Sequence, residues 1–140
     1  MRIYFAGSIS GGREHAGVYP EIIAALQAHG TVLTEHVGDQ ALDGAGENTL
    51  EAQAIFQRDV DWVDQSDLLV AEVTTPSLGV GYEIGRAEGR AIPVIALFSE
   101  RAGRKLSAMV AGNPWVQTIR YRDPGQLPEM LQDAIRALPH

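Results

Sequence analysis

Residues 67–98 read DLLVAEVTTPSLGVGYEIGRAEGRAIPVIALF. Two short apolar runs, 67–74 and 92–98, enclose a segment over 79–90 whose apolar residues recur at helical spacing. Runs of that length bounded by Gly and Pro are strand signals, and the pattern predicts a strand, a crossover helix and a second strand. A crossover helix between two buried strands makes them parallel and right-handed. Three glycines, Gly79, Gly81 and Gly85, lie in and around that helix. An interior glycine costs a helix about 1 kcal/mol relative to alanine. All three surround a single carboxylate, Glu83.

The same alternation extends in both directions. RIYFAG (2–7) is a strand candidate ending at glycine, and residues 12–30 predict a helix with Val18, Ile22, Ile23 and Leu26 on one face. Gly30 stops that helix, and Pro20 fits its first turn or a kink. TVLTEHV (31–37) is a second strand. Residues 38–50 form a polar, Gly-rich loop, and 51–66 an amphipathic helix carrying Ile55, Phe56, Val60 and Val63. Past residue 98 come a short helix over 103–112, a fifth strand over 115–121 with alternating polar residues, and a last helix over 124–138. No linker, repeat or low-complexity stretch divides the chain, so one domain over 1–140 is expected.

Five strands alternating with helices imply an α/β fold, a five-stranded parallel sheet doubly wound by helices on both faces. The expected strand order is 2-1-3-4-5, the flavodoxin-like, Rossmann-like arrangement. Ligands of such sheets bind beyond the carboxyl ends of the strands, where the winding reverses. Two Gly-rich loops meet that crevice, 7–13 and 74–83.

The first loop offers hydroxyls on Ser8 and Ser10, backbone N–H groups around Gly7, Gly11 and Gly12, and the Arg13 guanidinium. Opening a helix, it can hold a phosphate, or serve simply as a capped strand-to-helix turn. It matches neither GxGxxG nor the lysine-bearing P-loop. In the second loop, Gly79 and Gly81 permit close approach to the backbone. Glu83 is expected in the first turns of its helix, held ionised by the exposed N–H groups, which suits a nucleophile. A plain acidic residue of a first helical turn is the competing reading. Asp59 shares a face with Val63 and is expected to turn inward, with Asp61 and Asp64 elsewhere. Glu72, inside an apolar strand, must reach the site or pair with a cation, because an unpaired buried carboxylate is costly.

The chain has 140 residues, 45% hydrophobic and 21% charged, with a formal net charge of −7 and no cysteine. That size supports a real core. The balance of 11 basic against 18 acidic residues disfavours nucleic-acid polymers, which are held by many Lys and Arg contacts to phosphate. A small anionic ligand needs only a few donors. No apolar run reaches the ~20 residues of a membrane span, the N-terminus lacks a signal peptide's apolar segment, and a cytoplasmic location is expected. His15, His29, His36 and His140 show no ligand spacing, so neither metal nor cofactor is expected.

The strings YFAGSISGGRE (4–14), GTVLTEHV (30–37), RDVDWVDQSDLLVAEVTTPSLGVGYEIGRA (58–87) and GRKLSAMVAG (103–112) resemble the 2'-deoxynucleoside 5'-phosphate N-hydrolases of the nucleoside 2-deoxyribosyltransferase superfamily. The resemblance covers most of the chain and fades over 38–50 and the last twenty residues. It implies hydrolysis of the N-glycosidic bond of a deoxynucleoside monophosphate. Glu83 falls on the family's nucleophile, Asp59 on the acid that contacts and protonates the base, and Tyr4 on the tyrosine that orients the nucleophile. The phosphate would be cradled by Ser8, Gly11, Gly12, Arg13 and Ser77, with Gly7, Ile9, Ser10, His36 and Gly79 as further substrate contacts. Ser107 and Met109 fall on residues that complete the neighbouring subunit's pocket, which implies a homodimer. Nucleoside-using members carry an aspartate near the Ser77 position, so Ser77 favours a nucleotide. The base preference implied leans toward purines. Rival readings are an N-glycosidase of CMP-type ribonucleotides, a deoxyribosyl transferase, and a nucleotide-sensing module that would need neither Glu83 nor Asp59.

Overall fold

A computed structural model describes residues 1–8, 16–33 and 51–139. Five strands, β1 (Arg2–Ala6), β2 (Thr31–Val32), β3 (Leu68–Glu72), β4 (Val94–Ser99) and β5 (Val116–Tyr121), form one sheet. Its order is β2-β1-β3-β4-β5 and every neighbouring pair is parallel. The register sets Tyr4 beside Leu69, Ala71 beside Ala96 and Leu97 beside Ile119. This is the expected topology.

Both faces of the sheet are covered, which is why its inner strands read as unbroken apolar runs. Ile3, Phe5, Val70 and Leu97 pack against α1 (Tyr19–Gln27) and α5 (Leu127–Arg136). Tyr4, Ala6, Leu69 and Ala71 pack on the other face, against Val63 of α2 (Ala52–Asp64) and Val80, Ile84 and Ala87 of α3 (Leu78–Gly89). Strand β5 mixes buried residues (Val116, Ile119, Tyr121) with exposed ones (Gln117, Arg120), as an edge strand does. No helix among the described residues is long and apolar enough to cross a membrane.

The helix boundaries are tighter than the periodicity suggests. Helix α1 begins at Tyr19 after a 3-10 turn over Ala16–Val18, with a proline in its first turn, where no N–H is needed. The expected helix over 103–112 shrinks to α4 (Ala108–Ala111). Gly103, at φ 68°, ends a 3-10 turn over Glu100–Ala102 in a left-handed conformation that breaks the helical run, and Ser107 caps α4 afresh. At the last helix, Asp123 and Gln126 form a capping box around a 3-10 turn, and α5 starts only at Leu127.

Candidate active site

Helices α2 and α3 both have their N-termini at the carboxyl edge of the sheet, because α2 leads into β3 and α3 leaves it. They lie side by side over β1 and β3. The bidentate bond from Arg86 Nε and Nη2 to the Asp64 carboxylate (2.9 and 2.7 Å) pins them together, with Arg90 adding a third contact at 3.2 Å. The Arg86 hydrogen bond holds the Asp64 carboxyl below its ordinary range. Closer to the sheet's carboxyl edge, the rings of Phe56 and Tyr82 meet with centroids 5.9 Å apart.

Between these two fasteners lie the candidate catalytic groups. Buried Tyr4 of β1 donates its hydroxyl hydrogen to Glu83 Oε2. Asp59 lies close enough for its charge to act on both of them. Arg58 bonds the Asp59 carboxylate (Nε 3.0 Å, Nη2 2.9 Å) and lies over the Trp62 ring at 5.1 Å. Asp61 is exposed and accepts from Gln57. Asp59 therefore faces the Tyr4–Glu83 pair and Asp61 turns outward, as the helical spacing predicts, whereas Asp64 faces α3 through its clamp to Arg86.

The electrostatic expectation for Glu83 is overturned. Glu83 is the sixth residue of α3 and lies past the first turn, where the helix dipole has faded. Burial pushes its carboxyl up to about 7, Asp59 adds to the rise, and the Tyr4 hydrogen bond and Arg58 oppose it. Desolvation outweighs the hydrogen bond. The Tyr4 hydroxyl is likewise pushed up, first by burial and then by the Glu83 charge, and stays a proton donor to Glu83.

Ser8 closes β1, fully buried. Its N–H donates to the Tyr19 hydroxyl at 2.9 Å, whereas its Oγ has no hydrogen-bond partner among the described residues. Gly7 has a packing reason: a Cβ there would lie 2.8 Å from the Tyr19 ring. Ile9, Ser10, Gly11, Gly12, Arg13 and His36 lie outside the described residues. Ser77 caps α3, accepting from Val80 N–H at 3.3 Å, and Ser107 caps α4, accepting from Met109 N–H at 3.2 Å.

Ser77, Ser107 and Met109 line a cavity of about 520 Å³ between α3 and the segment 105–113. Tyr4, Asp59 and Glu83 do not line it; they lie on the flank of α3 that faces α2. A Cβ at Gly81 or Gly85 would meet nothing within 4 Å, and one at Gly79 only Ser77 Oγ at 3.8 Å. Packing among the described residues therefore does not require these glycines. They leave bare backbone along the exposed flank of α3.

Glu72 ends β3 fully buried. Its carboxylate accepts from Thr74 N–H (2.7 Å), Thr74 Oγ1 (3.0 Å) and the Tyr121 hydroxyl. Ser99 N–H in turn donates to Thr74 Oγ1 at 2.9 Å. Glu72 thus ties the ends of β3, β4 and β5 beneath the loop that leads to Ser77. Sequence reasoning overlooked Arg58 and the Asp64–Arg86 clamp. The available signals were the adjacent charge pair at 58–59 and the Trp62 one turn on. Among the described residues no cluster of His, Cys, Asp and Glu could hold a metal ion.

The sheet order and the paired carboxylates at its carboxyl edge define an α/β protein with a candidate site at the topological switch point. The chain belongs to the nucleoside 2-deoxyribosyltransferase family, which matches residues 3–116. It is 47% identical over 136 residues to the 5-hydroxymethyl-dUMP N-hydrolase of Tetraodon nigroviridis, covering 95% of this chain and 96% of that one. It is 45% identical over 137 residues to a Syntrophotalea carbinolica protein provisionally named 2'-deoxynucleoside 5'-phosphate N-hydrolase 1, covering 96% and 94%. Among solved structures, a CMP N-glycosidase from Clostridium botulinum superposes with a TM-score of 0.67 at 19% identity, covering 96% of this chain and 99% of that one. At that identity the likeness concerns the fold.

Proposed function

We propose that this chain hydrolyses the N-glycosidic bond of 2'-deoxynucleoside 5'-monophosphates, releasing the free base and 2-deoxyribose 5-phosphate. The observation that carries the reading is the Tyr4–Glu83–Asp59 constellation, three groups from separate elements meeting at the sheet's carboxyl edge. Relatives matched along nearly their whole length bear the names of that chemistry.

In this reading the Glu83 carboxylate attacks C1' as the C1'–N bond breaks, and the bonding pair leaves with the base. Asp59, ion-paired with Arg58, hydrogen-bonds the base and relays to it the proton of a water molecule, whose hydroxyl later goes to C1'. The resulting ester between the sugar and Glu83 is opened by water at C1', which restores the carboxylate. The transition state is oxocarbenium-like, as in retaining glycosidases. The missing 2'-hydroxyl eases its formation by removing an electron-withdrawing group. Tyr4 fixes one Glu83 oxygen, so the other is left to attack. Arg58 offsets part of the negative charge that gathers when two carboxylates and a phosphate share one crevice.

Ser8 and Ser77 supply phosphate contacts, together with Ser10, Gly11, Gly12 and Arg13 of the first loop. A buried hydroxyl without a partner costs roughly 1–3 kcal/mol, so Ser8 Oγ is expected to gain its partner from the ligand. Ser8→Ala should leave thermal stability unchanged or higher while raising KM for monophosphates. A lower melting temperature with unaltered KM would assign Ser8 to the fold.

Ser107 and Met109 serve a second copy of the chain. Two facts support this part of the reading. Met109 is 82% exposed, and both residues lie on the flank of α3 away from their own Glu83. Mixing a Ser107→Ala chain with a Glu83→Ala chain should restore activity that neither has alone, because one composite site of the heterodimer is intact. Absence of recovery in mixed dimers would place Ser107 in its own chain's site.

The decisive experiment is a product panel. Deoxy- and ribonucleoside monophosphates, including the 5-hydroxymethyl pyrimidine, and the dephosphorylated nucleosides are incubated with the protein, with and without a second free base. Hydrolysis predicts base and 2-deoxyribose 5-phosphate from the deoxy monophosphates alone. A new nucleotide in the presence of the second base identifies a transferase, and unchanged ligand a sensing module.

A further inference from the structure

Glu72 is a buried carboxylate that the proposed reaction does not use. It ends β3 at 1% exposure. Its Oε1 accepts from Thr74 N–H at 2.7 Å, and its Oε2 accepts from the Thr74 hydroxyl at 3.0 Å and from the Tyr121 hydroxyl. Side chains along a strand alternate between the two faces of a sheet. Val70 packs on the face covered by α1 and α5, so Glu72 points to that face as well. Tyr4 and the core residues of α3 lie on the other face. Glu72 thus stands across the sheet from Glu83.

What Glu72 holds is the root of both ligand loops. After Glu72 the chain crosses to α3 on the opposite face, and Thr74, bonded twice to Glu72, is fixed at that crossing. Ser77 caps α3 three residues further on. Thr74 Oγ1 also accepts from Ser99 N–H at 2.9 Å, which ties in the end of β4. On the neighbouring strand Ala6 is in register with Ala71, so Ser8 leaves the sheet beside this cluster. Ser8 N–H is held by the Tyr19 hydroxyl at 2.9 Å. Tyr19 shares the core cluster of Tyr121 and lies near enough to act electrostatically on its hydroxyl. We propose that Glu72 is the positioning residue of the phosphate site: through Thr74 and Tyr121 it fixes the Ser77 loop against Ser8. This rests on the function proposed above.

A buried polar network whose members are bonded to one another favours one arrangement, because a shift leaves a donor or acceptor unpaired away from water. A sugar phosphate held at one end by Ser8 and Ser77 presents C1' at the other. An error in the separation of the two loops is therefore carried to Glu83, where misplacement by about 1 Å is costly. Glutamine in place of Glu72 keeps the shape and loses the network. Its amide nitrogen only donates, and the one remaining oxygen cannot serve Thr74 and Tyr121 on both sides.

The test uses Glu72→Gln and Tyr121→Phe. The second deletes one hydroxyl and keeps the ring in the core, so it decides the question if the first does not fold. In the Glu83→Ala background, which prevents turnover, calorimetry measures the affinity for 2-deoxyribose 5-phosphate. About a tenfold loss is expected in each variant. With Glu83 in place, kcat/KM for deoxynucleoside monophosphates falls by at least that factor. The acid limb of its pH profile does not move, because the charges acting on Glu83 are those of Asp59 and Arg58. A lower melting temperature with unaltered sugar-phosphate affinity would make Glu72 a core contact and overturn the inference. A displaced acid limb would also overturn it, by placing Glu72 among the titrating groups. If the unaltered chain hydrolyses no nucleotide yet binds the sugar phosphate, and the variants bind it more weakly, the proposed reaction fails and the role of Glu72 stands.

Discussion

Glu83→Ala is expected to lower base release by on the order of 10⁴- to 10⁶-fold, the range seen when a covalent nucleophile is removed from an otherwise intact site. Nucleotide binding should survive, because the phosphate contacts come from other elements. Glu83→Gln should be equally inactive, and it separates lost chemistry from lost fold. The Glu83 carboxyl sits at about 7 in the folded chain against an ordinary 4.5. Between those values the unfolded chain ionises and the folded chain does not, so stability falls as pH rises through that window. Above about 7 the penalty is constant, and below 4.5 it is absent. The glutamine variant should therefore melt at a higher temperature than the parent at pH 8 and at nearly the same temperature at pH 4. Chromatography of released base and thermal melts at the two pH values check both halves. Substantial turnover by either variant would remove Glu83 from the mechanism.

The pH dependence of kcat/KM carries the second large effect. The attacking carboxylate must be ionised, so activity should fall about tenfold per pH unit below about 7 and level off above it. The direction of shift in two variants identifies the titrating group. Tyr4→Phe deletes the hydrogen bond that favours the ionised form, so its acid limb should move to higher pH. Asp59→Asn deletes a neighbouring negative charge that opposes ionisation, so its limb should move to lower pH, on top of a reduced plateau. The substrate phosphate titrates identically in all three proteins and cancels from the comparison. A limb in the ordinary carboxylate range, unmoved by either substitution, would mean that Glu83 does not control the rate.

Much of this architecture is written in short-range pattern. The 67–98 segment alternates apolar run, glycine turn, helix and apolar run, and it becomes β3, α3 and β4 within one or two residues. The helical spacing that turns Asp59 inward and Asp61 outward is equally local. The helix at 103–112 starts late because Ser107 takes a non-helical backbone and caps α4 with its side chain, which leaves 104–107 outside the helix. The glycines of α3 drew notice from sequence, but their reason did not: a Cβ at Gly81 or Gly85 meets nothing within 4 Å among the described residues. Glu72 illustrates the same boundary. Its position in an apolar strand announced an unusual carboxylate and Thr74 is a local partner, while its partner Tyr121 lies on a strand two places away in the sheet.

The amino-acid order by itself determined the sheet, its winding and the place of the switch point, and it singled out Glu83 among its glycines, because periodicity and turn chemistry act over a few residues. Tertiary structure alone decided two things. It raised the Glu83 carboxyl above its ordinary range, where burial outweighs the Tyr4 hydrogen bond. It also divided the candidate site, with Tyr4, Asp59 and Glu83 on one flank of α3 and Ser77, Ser107 and Met109 along the other. Both depend on through-space distance, which residue spacing along the chain does not encode.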